Sequence, residues 1–263
     1  MRKASFFMPI MAIIAGVAGF FIRRHEHVHV FDPITELARR GALSTYTLMG
    51  LTALFLLIVL IFSIVIFRRR VAPAGFENAF NTKAVGYPIL FILIGLGWLW
   101  ASVMHVIDLR AFGYMQMAQL YFSVLSAISA ISIIFFAIEM YKSSGRKAIY
   151  ALSLIPVLFM CFWLIFVYRD NAANPVVLGY AYHVLAIITS ALGFYFTAGF
   201  GYGRSKHGRA AFFYLAAIFF CFVTLADDHY FMIRAIFGVI IAINVVYLFR
   251  LLRNLKSRAD AID

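Results

Sequence analysis

Between residues 25 and 29 the chain reads His25-Glu26-His27-Val28-His29, which fits the His-Glu-x-x-His pattern of zinc hydrolases. On a helix, His25 and His29 would share one face as metal ligands, with Glu26 beside them as general base. As an extended segment, His25, His27 and His29 would instead share a face and capture a transition metal without a preformed cavity. The pattern follows Arg23-Arg24, precedes Asp32-Pro33 and lacks a third ligand at a recognisable spacing. That context favours a loop at a span end, with Arg and His touching lipid headgroups and any metal site secondary.

Four other groups could do chemistry together. Ser102, His105 and Asp108 follow one another at spacings of three, along one helix face. Asp108 could orient the His105 imidazole, or both could ligate a metal. Ala226-Asp227-Asp228-His229-Tyr230 presents two carboxylates and an imidazole in one short turn, and Tyr168-Arg169-Asp170 and Tyr180-Ala181-Tyr182-His183 add further polar helix ends. Three uses compete for these groups. They could form an outward-facing pocket for a cation or small ligand. They could hold a zinc-like ion that activates water near the outer leaflet. Or the acids pair with Arg110, Arg169 and Arg234 while Tyr forms the interfacial belt, and nothing binds. A haem between His105 and His183 would have a single pair of axial ligands and no alternative, which disfavours it.

The elements that must position these residues follow from composition. A chain of 263 residues that is 64% hydrophobic and 13% charged, with mean hydropathy +0.93, is outside the range of soluble domains and is polytopic in a membrane. Its apolar runs are continuous rather than alternating, which excludes an outer-membrane barrel. Crossing about 30 Å of hydrocarbon takes roughly twenty helical residues. Eight runs qualify, near 5–22, 45–67, 87–107, 118–141, 148–168, 178–202, 210–226 and 230–250. The expected fold is an all-α integral membrane bundle of about eight transmembrane helices, one domain over 1–263. The first run ends in Phe-Phe-Ile-Arg-Arg rather than a small-residue cleavage site, so it is read as an uncleaved span. Residues 34–43 after Pro33 read as a short interfacial helix, and Pro156 predicts a kink in the fifth span.

The net charge of +12 sits in clusters beside these runs, where anionic lipid accounts for it. The expected partner is therefore the bilayer, with a membrane protein or a second copy of the chain as further candidates, and no nucleic acid. With the N-terminus inside, sixteen of 23 Lys and Arg fall on the inner side and seven on the outer, so both termini are predicted cytoplasmic. Four of those seven, Arg23, Arg24, Arg39 and Arg40, crowd the first loop against the rule. Six of seven histidines and seven of eleven acids then collect at the outer side.

Glycine and alanine in the first span, and Ser123, Ser126, Ser129 and Ser132 in the fourth, read as helix-packing faces. There is no Walker loop, no Gly-x-Ser-x-Gly elbow, and no paired-cysteine motif, since Cys161 and Cys221 lie in separate apolar runs. The segments Arg24 to Pro33, Cys161 to Val177 and Thr224 to His229 resemble uncharacterised polytopic membrane proteins of anaerobic Gram-positive bacteria. The resemblance implies a multi-pass protein of the bacterial plasma membrane and carries no activity. The first expectation for function is a binding, transport-accessory or sensing role for the outer polar groups, with a metal-dependent membrane hydrolase and a non-catalytic structural subunit as alternatives.

Overall fold

The computed structural model describes residues 2–32, 41–73, 75–82, 84–111, 117–142, 147–172 and 176–257. Its helices are α1 (Arg2–His29), α2 (Leu43–Arg69), α3 (Phe76–Ala79), α4 (Gly86–Ala111), α5 (Met117–Lys142), α6 (Lys147–Leu152), α7 (Leu154–Asn171), α8 (Val177–Gly201), α9 (His207–Thr224) and α10 (Phe231–Asn254). Two residue pairs, β1 (Arg70–Val71) and β2 (Lys256–Ser257), form a short antiparallel ladder. Among the described residues eight helical stretches are long and apolar enough to cross a membrane, the fifth being Tyr150–Asn171 across α6 and α7. The protein is a multi-pass, all-helical membrane protein. The interfacial helix expected over 34–43 falls mostly on residues 33–40, outside the described residues.

The main departure from the sequence expectation is the first span, which runs on as helix to His29 rather than stopping near residue 22. The fifth span breaks at Ser153, three residues before Pro156. There the Ser153 backbone N–H and hydroxyl both return to the Tyr150 carbonyl, and Pro156 has no N–H to offer the carbonyl one turn back.

Helix α9 is the most buried span, packed by α8, α1, α10 and α2. Helices α4, α5 and α7 join this centre through α10 and α8. In a bilayer, apolar burial adds little between helices, so close approach and polar contacts decide the packing. A side chain at Gly16 or Gly19 would collide with Phe222 or Val223 of α9, and one at Gly95 would come within 2.5 Å of Ile134 on α5. The serines of α5 behave as packing groups. Ser123, Ser129 and Ser132 donate to carbonyls of their own helix, and Ser126 accepts from the Trp98 indole at 2.8 Å. Cys221 is buried near Ser190, whereas Cys161 is exposed on α7.

Phe6 of α1 and Phe249 of α10 meet edge to face at 4.9 Å, and β1 pairs with β2, so the start of α1 and the end of α10 lie at one end of the bundle, here the terminal end. The far end collects the last turns of α1, α4, α7 and α9 and the first turns of α2, α5, α8 and α10.

Gly95 and Gly97 lie on the same helix, but nothing stands within 4 Å of a side chain placed at Gly97. Gly95→Val should cost about 1–3 kcal/mol by overpacking, and Gly97→Val close to nothing, in unfolding of the purified protein by denaturing detergent. Equal losses would contradict this assignment of the α4–α5 contact.

Candidate functional site

The extension of α1 decides what the His-Glu-x-x-His stretch can do. Successive residues turn by about 100°, so Arg23, Glu26 and Val30 fall on one face and His25 and His29 on another. The first three are buried and the two histidines are exposed. The His25 and His29 rings stack at 4.5 Å, tilted by only 6°, while Glu26 turns into the bundle. Glu26, the general base of the zinc-hydrolase reading, is thus buried and paired with Arg23 instead of facing a metal held by His25 and His29. Among the described residues no three His, Cys, Asp or Glu side chains converge closely enough to hold a metal ion.

Arg23, read in the sequence as a loop cation, has no solvent exposure at all. Its Nε donates to Asp227 Oδ1 at 2.8 Å and its Nη1 to Glu26 Oε2 at 3.3 Å. Nη2 donates to the Leu178 and Gly179 carbonyls at 3.2 and 2.7 Å, in the first turn of α8. The guanidinium carbon also lies 5.3 Å from the Phe31 ring centroid and 5.4 Å from that of Tyr182. Burying a guanidinium costs several kcal/mol unless charge and hydrogen bonds are both answered. Here two carboxylates, two carbonyls and two ring faces answer them.

Asp227 lies in the turn between α9 and α10 and is shared. His27 Nε2 donates to its Oδ1 at 2.7 Å, and the Thr224 hydroxyl donates to its Oδ2 at 2.9 Å. With its hydrogen committed, Thr224 Oγ1 accepts from His229 Nε2 at 3.2 Å. The chain of protons then runs from His229 through Thr224 to Asp227. Burial would raise the Asp227 carboxyl, but hydrogen bonds from His27 and Arg23 and the guanidinium charge outweigh it and hold it below the usual carboxylate range. Burial lowers the His229 imidazole; Asp227 opposes this without reversing it, and Arg234 adds to it.

Above this network the far end opens into a cavity of about 630 Å³. His27 and Phe31 come from α1 and the residues after it, His105 from α4, and Gln119 and Phe122 from α5. Trp163, Phe166 and Asp170 come from α7, and Tyr180 and His183 from α8. The α9–α10 turn supplies Asp227, Asp228 and His229. His183 is 7% exposed, with its ring 4.5 Å from that of His229 and 5.7 Å from that of Trp163. Its Nε2 is buried without a hydrogen-bond partner. Asp228 is largely exposed and lies 3.6 Å from Arg234 and 3.8 Å from Arg24. Asp170 pairs with Arg169 at 3.1 Å.

The structure therefore brings His105, Asp170, His183, Asp227, Asp228 and His229 to one cavity, and adds His27. Two expected partners of His105 do not line it. Ser102 donates to the Trp98 carbonyl at 3.0 Å and sits 2.8 Å from Ser126 on α5, and Asp108 is exposed on α4. A step of three residues falls short of a full turn by about 60°, so 102, 105 and 108 drift across the helix surface. Sequence reasoning missed Arg23, Thr224, Gln119 and Trp163. For Arg23 the available signal was Glu26 three residues on, which is helical ion-pair spacing. The chain matches no known protein family, no curated protein and no solved structure.

The native state holds fewer protons at both Asp227 and His229 than the unfolded chain does. Stability should therefore fall as pH drops below 6.5, the ordinary imidazole value, and fall again through the carboxylate range below 3.8. Thermal unfolding in detergent against pH checks this. The limb near pH 6 should flatten in His229→Gln, and an unchanged limb in that variant would contradict the assignment.

Proposed function

We propose that this is a bacterial plasma-membrane protein with cytoplasmic termini that captures a small organic cation in the far-end cavity, in a transport-accessory or sensing role. The observation that carries the reading is the cavity itself. Six spans and the α9–α10 turn converge there, its charged wall groups are Asp32, Asp170, Asp227 and Asp228, and no Lys or Arg lines it among the described residues. Phe122, Trp163 and Phe166 line it as well, and ring faces beside carboxylates suit an amine or quaternary ammonium group. His183 Nε2, unpartnered and buried, is a further polar group for a ligand to satisfy.

The Lys and Arg distribution supports an extracytoplasmic opening. Arg23 is committed to the protein interior, which removes one of the charges that ran against the positive-inside bias. The hydrolase alternative has less support, because its ligands do not converge among the described residues. A purely structural subunit would leave the cavity without a ligand.

Tetramethylammonium, choline and ethanolamine, tested by thermal shift at fixed ionic strength against sodium chloride and acetate, distinguish these outcomes. At 100 times its dissociation constant, a ligand of the folded state adds about 2.7 kcal/mol. At least one of the cations should stabilise the protein saturably, and His183→Phe or the exposed-site pair Asp170→Asn/Asp228→Asn should weaken it about tenfold or more. No saturable shift with any of them, or a shift unchanged in both variants, would overturn the proposal.

A further inference from the structure

A second cavity lies at the terminal end of the bundle, remote from the first, with a volume of about 840 Å³. It is bounded by the last turns of α10, the first turn of α4 and the chain around α3. Its charged groups are Arg250, Arg253 and Lys256, and no carboxylate lines it among the described residues.

Cations at a helix C-terminus offset the helix dipole and reach toward lipid, which accounts for the exposed Arg253. They do not account for Arg250, which is 7% exposed. Its guanidinium lies over the Tyr87 ring, 4.7 Å from the centroid, and its Nη2 donates to the Asn81 carbonyl. Its Nε is buried with no acceptor. A charged donor left unsatisfied is costly, and a carbonyl and a ring face supply no counter-charge.

The cleft is also held in shape. Asn254 Nδ2 donates to the Ala79 carbonyl at 2.9 Å and to that of Asn81 at 3.3 Å, fixing the loop after α3 against α10. The β1–β2 ladder sets Lys256 opposite Val71. Arg253 follows Arg250 by three residues on the same helix, close to one side of it. Three cations are thus placed around one space by a helix, a ring and a strand pair. The volume exceeds that of a bare anion, and guanidinium forks match the oxygens of a phosphate group.

We infer that this cleft is a binding site for a phosphate-bearing anion, with Arg250 as the inner contact and Arg253 and Lys256 as the outer ones. The phosphate belongs either to an anionic lipid headgroup at the adjoining membrane surface or to a free phosphate ester. The full-length protein in uncharged detergent tests this in two arms. One arm titrates glycerol 3-phosphate and inorganic phosphate calorimetrically against chloride at equal ionic strength. The other measures retention of dioleoylphosphatidylglycerol against dioleoylphosphatidylcholine by native mass spectrometry. Arg253→Gln/Lys256→Gln alters only exposed side chains and should keep the fold, while Arg250→Gln removes the inner contact.

Saturable binding of the soluble phosphates, weakened at least about tenfold in Arg253→Gln/Lys256→Gln, would support the site with a free ester as its source. Preferential retention of the anionic lipid, lost to the same degree in that variant, would support it with a headgroup as its source. Binding of neither above its control, or binding equal in wild type and in Arg253→Gln/Lys256→Gln, would overturn it.

Discussion

A fully buried guanidinium inside a membrane bundle is the constraint on which the rest of the far end depends. Arg23 cannot be left with open donors among apolar helices, where each unmet polar group costs free energy that no nearby water recovers. Its three donor positions are met by three separate parts of the chain, and each must be in place for the others to be useful. Helix α1 must run past Arg23 so that Glu26 reaches it, α8 must begin where the Leu178 and Gly179 carbonyls face it, and the α9–α10 turn must present Asp227. A contact between residues 204 positions apart thereby sets the relative depth of the first span and the last two.

The cavity above inherits its geometry from that contact. Asp227 is fixed from below by Arg23 and from the side by His27, so the Thr224 hydroxyl and the His229 imidazole have one consistent arrangement of protons. His229 in turn abuts His183, which meets Trp163 of α7. The order passes from a buried ion pair to imidazoles and then to the aromatic side chains of the wall. The two ends of the bundle differ in sign. Carboxylates and imidazoles line the far cavity, whereas arginine and lysine line the terminal one. A ligand suited to one would be repelled by the other, so the two sites would select different chemistry.

Much of the fold was legible because a spanning helix has a length and a polarity that a sequence shows directly. The bounds of α2, α4, α5 and α8 differ from the apolar runs by only a few residues. The first span runs past Arg23-Arg24 although two adjacent arginines mark a membrane exit when they are solvated, and the one local signal, Glu26 at ion-pair spacing, fits a solvated helix end equally well. The partner that reverses the reading, Asp227, lies at the other end of the chain. The candidate site was legible in depth and not in direction. His105, Asp170, His183 and His229 were recognised as polar groups near one level, and the order of the helices was needed to show that they face one space. Ser102 and Asp108 lie about one turn to either side of His105 along α4 and at other angles on it, one turned to α5 and one exposed. His25 and Glu26, neighbours in sequence, are separated in the same way by a third of a turn.

The most direct test of this account is a double-mutant cycle on Arg23→Met and Asp227→Leu, with unfolding free energy measured in mixed micelles. Each single substitution leaves a buried charge without its nearest charged partner, Arg23 left with Glu26 and Asp227 left with His27, and should cost about 3–5 kcal/mol. The double variant removes both charges and should recover at least about 2 kcal/mol of the summed loss. Losses that add to within about 0.5 kcal/mol would mean that the two residues do not depend on each other, and would contradict the claim that this ion pair organises the far end of the bundle.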